Sequence, residues 1–140
     1  MPEAGPAAAD EPLRGPALLV EDSLLIALDV VDLLEELGLG PVHTAASVGD
    51  ALRYLDGARP VLALLDVSLG AETSQAVARR LEEAGVPFAL TTGHGVDGEG
   101  VEGFAADLPV LRKPFATAEL QALVRKLAGA GAVPIRGAGG

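Results

Sequence analysis

Carboxylates, a hydroxyl and a lysine stand where apolar runs of this sequence end. Asp66 follows the run 61–65, and a carboxylate where a buried strand ends is a candidate reactive group, because the strand fixes it and the loop beyond exposes it. The other members of the set end earlier and later runs: Glu21, Asp22, Thr92 and Lys113. Together these side chains could hold a divalent cation and a phosphoryl group around one acceptor carboxylate.

The chemistry follows from the charges. Three carboxylates brought together repel one another, and a bound cation relieves the repulsion; oxygen ligands without His or Cys suit Mg²⁺. Asp66 can then act as a nucleophile towards a phosphoryl donor, because phosphoryl transfer needs mainly positioning and charge neutralisation. Lys113 supplies a positive charge to the phosphoryl oxygens, and the Thr92 hydroxyl can donate a hydrogen bond to one of them. Pro114 stiffens the backbone after Lys113 and is a candidate for a cis peptide bond.

The elements that must position these residues alternate between strand and helix. Continuous apolar runs predict strands covered on both faces, at residues 17–20, 42–46, 61–65, 88–90 and 108–111. Helical spacing of Leu, Val and Ala follows each run except the fourth, where the segment 93–103 contains five glycines. Five β–α units with right-handed crossovers predict an α/β, doubly wound parallel sheet. Ligands of such sheets gather at the carboxyl ends of the strands, where the polar set falls.

Composition narrows the class of protein. The chain has 140 residues, 49% of them hydrophobic but only 3% aromatic, which predicts one domain with a core of Leu, Val and Ala. The absence of Cys excludes disulfides and thiolate ligands, and the net charge of −10 argues against nucleic-acid binding. Without an apolar run of about 18 residues or a signal peptide, we expect no membrane insertion and a cytoplasmic location. Residues 1–15 and 129–140 are predicted to be flexible extensions of a domain at 16–128.

The residues that carry the chemistry also resemble a known signature. The segments Leu19-Val20-Glu21-Asp22, Leu64-Leu65-Asp66-Val67, Thr92-Gly93 and Lys113-Pro114-Phe115 are similar to those of response regulator receiver domains, over about residues 17–128. The resemblance implies a flavodoxin-like, CheY-like (βα)5 fold with Asp66 as the phosphoacceptor. It implies Mg²⁺ bound by Glu21, Asp22, Asp66 and the backbone carbonyl of Ser68. It further implies Thr92 as the switch hydroxyl and Lys113 as the phosphate-sensing lysine.

A finer resemblance concerns the surroundings of Asp66 and Thr92. The segments 66–74 (DVSLGAETS) and 87–95 (PFALTTGHG) are similar to the single-domain "FAT GUY" receivers, in which Gly follows the switch Thr. This implies a stand-alone response regulator that acts by binding a downstream protein or by draining phosphoryl groups as a phosphate sink. The implied donor is a histidine kinase or a histidine phosphotransfer protein. Such a protein is a phosphoacceptor rather than an enzyme, apart from self-catalysed phosphotransfer and autodephosphorylation.

One position departs from the receiver pattern. Most receivers carry an aromatic residue three places before the lysine, and here that position is Val110, which has no ring to rotate. We therefore hypothesise that the glycine-rich segment 93–103 carries the signal instead, since its glycines leave it little local stability to overcome.

Three alternative functions fit the sequence less well than a phosphoacceptor does. A receiver-like interaction module would work without phosphorylation. An Asp-nucleophile phosphohydrolase of the haloacid dehalogenase type needs a second Asp two residues after the nucleophile, where this chain has Ser68. A dinucleotide-binding domain needs G-x-G-x-x-G after the first strand, where Glu21 and Asp22 stand.

Overall fold

The computed structural model describes residues 14–69, 72–93, 104 and 107–139, with side chains as far as residue 128. The strands are β1 Gly15–Val20, β2 Leu39–Ala45, β3 Leu62–Asp66, β4 Ser68–Leu69, β5 Glu72–Thr73, β6 Phe88–Thr92 and β7 Val110–Arg112. The helices are α1 Leu24–Glu36, α2 Val48–Gly57, α3 Gln75–Ala84 and α4 Thr117–Gly139. None of the helices in these ranges is both long and apolar enough to cross a membrane.

Five strands form one parallel sheet in the order β2-β1-β3-β6-β7. This is the 2-1-3-4-5 order of a flavodoxin-like doubly wound sheet, in which ligands bind where the strand order reverses. The reversal lies between β1 and β3, whose last register pair is Val20 with Leu65. The predicted doubly wound fold is confirmed, and the sheet places Glu21 and Asp66 on neighbouring strand ends.

The core has one layer on each face of the sheet, because successive side chains of a strand point to opposite faces. Against one face pack α2 and α3, whose buried residues join Leu18, Val20, Leu65 and Leu90 in one cluster. Against the other pack α1 and α4, whose buried residues join Leu19 and Leu64 in a second cluster. All five residues of β3 are buried, as expected for the central strand.

Several element boundaries differ from the predicted ones. β1 begins at Gly15, which has a φ of 112° and whose added Cβ would lie 2.7 Å from Cγ1 of Val61, so glycine is required there. The antiparallel hairpin β4–β5 directly after β3 was not predicted, because two-residue strands leave no periodic pattern. The crossover between β6 and β7 falls mostly on residues outside the described ranges, including residues 94–103 of the predicted signalling loop.

The last helix extends into the segment that the sequence predicts as a C-terminal tail. A tail was expected from residue 129, because five glycines and Pro134 stand in the segment 129–140. The backbone of α4 instead continues as helix to Gly139. This continuation opposes the local composition, because Gly and Pro have the lowest helix propensities. The flexibility of both termini stays a prediction.

Candidate functional site

The acidic residues of the candidate site meet because β1 and β3 are neighbours. Glu21 directly follows β1, and Asp66 is the last residue of β3. One carboxylate oxygen each of Glu21, Asp22 and Asp66 lie within 4.8 Å of one another. Glu21 and Asp66 are buried, whereas Asp22 is exposed. The cluster is therefore rooted in the domain and open to solvent on one side.

Lys113 reaches this cluster from two strands away. It directly follows β7, and its Nζ donates to Oε1 of Glu21 and to Oδ2 of Asp66, both at 2.9 Å. Only 11% of its side chain is exposed. Its backbone N–H donates to the carbonyl of Thr92 at 2.8 Å, which fixes the start of the loop after β7 to the end of β6. The sheet thus brings together residues 92 positions apart in the sequence.

Backbone amides hold the other carboxylate oxygens. The N–H of Ser23 donates to Oε2 of Glu21 at 3.1 Å, and the N–H of Ser68 donates to Oδ1 of Asp66 at 3.2 Å. Each buried acid is therefore bound once to the lysine and once to the main chain. Such charge-assisted bonds fix the orientation of both carboxylates before any ligand arrives.

Burial and charge shift the proton affinities of the cluster. Burial raises the pKa of Glu21 above its ordinary value, against the opposing effects of its hydrogen bonds from Lys113 and Ser23. The charge of Asp66 raises the pKa of Glu21 further. For Lys113, burial lowers the pKa, but hydrogen bonds to Glu21 and Asp66 outweigh it and the net pKa is raised. Lys113 accordingly stays positively charged throughout the physiological range.

The donor set fits a hard divalent cation. It consists of carboxylate oxygens from Glu21, Asp22 and Asp66, with no His or Cys among them, and Mg²⁺ prefers oxygen ligands while retaining several waters. The single charge of Lys113 does not balance three ionised carboxylates. The exposed side at Asp22 leaves access for water and for an anionic ligand. The acidic pocket predicted for Mg²⁺ is present in the structure.

The two threonines at the end of β6 are both buried. Thr91 is the register partner of Asp66, and its carbonyl accepts the N–H of Val67 at 2.9 Å. Thr92 is the last residue of the strand, one position closer to the loops, and its carbonyl binds Lys113. The sequence predicts Thr92 as the switch hydroxyl because of its spacing, and this assignment stays a prediction.

We call the part of the sheet edge around β7 and the loop after it the readout side; it contains Val110, the position that departs from the receiver pattern. Val110 is 45% exposed at the start of β7. The Lys113–Pro114 peptide bond is cis. A groove of about 620 Å³ runs past Gly93 and Lys113 between α1 and the loop after β7. Its walls include Ile26, Asp29, Val30, Asp32, Leu33, Pro114, Phe115 and Thr117.

Sequence reasoning missed one residue that contacts Asp66. Ser74 is not among the predicted site residues, yet its hydroxyl donates to the backbone carbonyl of Asp66 at 2.8 Å, and the residue is completely buried. A serine before a helical pattern is the ordinary sign of an N-cap, so nothing in the sequence distinguishes this second use of the hydroxyl.

Comparisons with known proteins agree with this geometry. The sequence model of the family described as "Response regulator receiver domain" matches residues 17–125. A curated relative, response regulator Rre1 of Synechocystis sp., is 30% identical over 115 residues, which cover 79% of this chain and 50% of the relative. The chain thus spans about half the length of that relative.

Solved structures show the same architecture. The response regulator receiver protein from Sinorhizobium medicae WSM419 is 26% identical with a TM-score of 0.74, covering 84% of this chain and 97% of that one. SdrG from Sphingomonas melonis Fr1 is 36% identical with a TM-score of 0.70, covering 81% of this chain and 95% of that one. With its parallel sheet, its acidic cluster and the lysine beside it, this chain belongs to the response regulator receiver domain family of two-component signalling.

Proposed function

We propose that this protein is a phosphoacceptor whose Asp66 receives a phosphoryl group from a histidine kinase or a histidine phosphotransfer protein. The observation that carries the proposal is the Nζ of Lys113, held 2.9 Å from both Asp66 and Glu21 at the strand ends of a receiver fold. A surface lysine would not be drawn into a buried acidic cluster, because desolvation of its charge needs to be offset by close partners.

The covalent step needs only the acceptor and its surroundings. A carboxylate oxygen of Asp66 attacks the phosphorus of a donor phosphohistidine, the P–N bond breaks, and its electron pair returns to the imidazole ring. The product is an aspartyl phosphate on Asp66. Mg²⁺, held by Glu21, Asp22, Asp66 and the carbonyl of Ser68, would neutralise the negative charge that gathers on the phosphoryl oxygens. Lys113, which directly follows β7, contributes the remaining fixed positive charge.

After transfer, the oxygens of the phosphoryl group would be read by two residues. Thr92 donates its hydroxyl to one of them, and Lys113 exchanges its bond with Asp66 for one with the phosphoryl group. Because the backbones of these two residues are joined by a 2.8 Å hydrogen bond, a shift at one is felt at the other. The signal then passes to a downstream protein partner, or the protein serves as a phosphate sink, as a stand-alone cytoplasmic receiver of the FAT GUY type.

The donor would dock on α1. Its first turns expose Leu24 (71%), Leu25 (78%) and Leu28 (55%) directly beside the acidic cluster, and exposed apolar groups of this size mark interaction surfaces. A groove lined by other residues of α1, by Phe115 and by Lys113 lies along the same helix. A Leu25→Ser variant should lose transfer from the protein donor while keeping phosphorylation by acetyl phosphate. Equal losses with both donors would contradict this docking site.

The deciding experiment is incubation with Mg²⁺ and either acetyl phosphate or a histidine kinase, followed by intact-protein mass spectrometry. The native chain should gain one phosphoryl group, and Asp66→Asn should gain none. Asp107→Asn, which removes an exposed carboxylate elsewhere, is the matched control and should react like the native chain. Absence of an adduct with both donors would favour a phosphorylation-independent interaction module. An undiminished adduct on Asp66→Asn would place the acceptor at another residue, and either result would defeat the proposal.

A further inference from the structure

Three serines immediately precede helices in this structure, and two of them act as ordinary N-caps. The hydroxyl of Ser23 accepts the N–H of Ile26 at the start of α1. The hydroxyl of Ser47 accepts the N–H of Asp50 at 3.1 Å at the start of α2. Both serines have extended backbone angles, as N-cap residues usually do.

Ser74, which precedes α3, uses its hydroxyl differently. Its backbone angles are φ −93° and ψ 20°, and its side chain makes no capping bond to α3. The hydroxyl instead donates to the backbone carbonyl of Asp66 at 2.8 Å, while its own N–H donates to the carbonyl of Val67 at 3.4 Å. Ser74 therefore faces back towards the acceptor, away from the helix it begins.

This orientation has an energetic cost that needs an explanation. An N-cap serine stabilises the helix that it begins, and α3 forgoes that stabilisation although a suitable residue stands at the right place. The Ser74 hydroxyl is fully buried, and a buried hydroxyl must find a partner. The partner it has is the main chain of the residue whose carboxylate carries the chemistry.

The hydrogen bonds of Ser68 and Ser74 hold the main chain that carries Asp66. Ser68, two residues after Asp66, pairs with Thr73 in the β4–β5 hairpin, and its N–H binds Oδ1 of Asp66. Ser74 then binds the carbonyl of Asp66 from the far end of the hairpin. The main chain from Asp66 to Ser68 is thus held at both ends, and with it the direction of the Asp66 carboxylate.

We propose that Ser74 is a positioning residue for the phosphoacceptor, acting through the main chain of Asp66 without touching cation or phosphoryl group. The assignment rests on the proposed function in naming what Asp66 does. The Ser74 hydroxyl holds the Asp66 carboxylate and the Ser68 carbonyl in the orientation that binds the cation. Loss of the hydroxyl would then weaken the cation site of a protein that remains folded.

The test compares two serine variants of the full chain. Ser74→Ala should raise the Mg²⁺ dissociation constant and slow phosphorylation by acetyl phosphate, each by roughly tenfold, as is typical when a residue that orients a metal ligand is removed. The matched control is Ser47→Ala, which removes a true cap whose hydroxyl is bonded to Asp50 and not to Asp66. It should lower the stability towards urea but change the Mg²⁺ dissociation constant and the rate by less than about twofold, because a cap acts on its own helix. Ser74→Thr, which restores a hydroxyl, should recover part of the lost Mg²⁺ affinity.

Each outcome decides between positioning and mere structural support. Native Mg²⁺ affinity and rate in a folded but less stable Ser74→Ala variant would overturn the proposal and leave the proposed function intact. If Ser74→Ala fails to fold, Ser74→Cys is measured instead, because it nearly keeps the size of the side chain but has a weaker donor. Native Mg²⁺ affinity in Ser74→Cys would also overturn the proposal. Mg²⁺ affinity, measured by calorimetry, is independent of phosphorylation, so failure of the native chain to accept a phosphoryl group leaves the test of Ser74 in place.

Discussion

The acceptor side and the readout side of the same sheet edge are built differently. On the acceptor side, Glu21 and Asp66 are buried, and each is bound once by Lys113 and once by a backbone amide. On the readout side, Val110 is 45% exposed and carries no ring. The acidic cluster and its lysine are therefore present together, whereas the position three residues before Lys113 carries no aromatic ring.

This difference separates two requirements. Acceptor chemistry needs charges at fixed distances, and preorganised groups in a partly buried site supply them at no further cost in reorganisation. Readout needs only an element with two arrangements whose balance the phosphoryl group shifts. Many different elements satisfy the second requirement and few satisfy the first, so we expect substitution of Val110 to affect the chemistry less than substitution of Lys113.

The largest effect is expected from Lys113→Met. Removing a fixed positive charge from a site of developing negative charge should slow phosphorylation by acetyl phosphate about 100-fold, within the range seen when such stabilising groups are lost. The exposed Lys126 in α4 provides the control, and Lys126→Met should leave the rate unchanged. Rates are measured by mass spectrometry of the adduct. A loss below about threefold would show that the acceptor side does not depend on this charge.

The second-largest effect is expected from Glu21→Gln, which should weaken cation binding. Loss of one carboxylate should raise the Mg²⁺ dissociation constant by roughly tenfold, equivalent to about 1.4 kcal/mol. Because burial raises the pKa of Glu21, its proton is retained to a higher pH than on an ordinary glutamate and competes with Mg²⁺. Mg²⁺ affinity of the native chain should therefore fall as the pH is lowered towards the raised pKa, and the fall should be shallower in Glu21→Gln. Calorimetric titrations at several pH values check both; parallel pH profiles would contradict the role of Glu21.

The two threonines of β6 allow a matched pair of smaller changes. Thr92→Val removes the hydroxyl predicted to bind the phosphoryl group and should shorten or lengthen the lifetime of the aspartyl phosphate about fivefold, as expected for one hydrogen bond of about 1 kcal/mol. Thr91→Val makes the same change one residue earlier and should alter the lifetime by less than about twofold, because the predicted contact belongs to Thr92. A larger change of lifetime in Thr91→Val than in Thr92→Val would assign the switch role to Thr91. Decay of the phosphorylated protein after removal of donor gives the lifetime.

The smallest effect on the chemistry is expected from Val110→Ala. The side chain is half exposed and has no bond to the acidic cluster in the described part of the chain, so phosphorylation and Mg²⁺ affinity should remain within about twofold of native values, as is usual for exposed positions. If Val110 instead couples to the acceptor, phosphorylation by acetyl phosphate will change along with partner binding. That result would remove the contrast between the two sides.

Much of the acceptor side could be predicted from the sequence, for a physical reason. Continuous apolar runs report strands buried on both faces, and in a parallel sheet every strand ends at the same edge. Polar residues directly after such runs are therefore neighbours, which predicts that Glu21, Asp66 and Lys113 lie close together. Their types then restrict the chemistry to cation and phosphoryl binding.

Other features could not be predicted because they depend on contacts rather than periodicity. The hairpin β4–β5 consists of two-residue strands, below the length at which alternation is visible. The continuation of α4 beyond residue 128 opposes the glycine content of that segment. Ser74 carries the same local signal as Ser23 and Ser47, yet only the tertiary structure reveals which partner its hydroxyl has.

The sequence by itself determined the doubly wound sheet and the identity of the charged groups at its carboxyl edge, because burial patterns and residue types are local properties. Tertiary structure decided the bonds between those groups. The distances from Lys113 to Glu21 and Asp66, the backbone amides on each carboxylate, and the turn of Ser74 towards Asp66 all depend on how distant segments pack. Such packing is set by the whole fold, and no single segment of the chain encodes it.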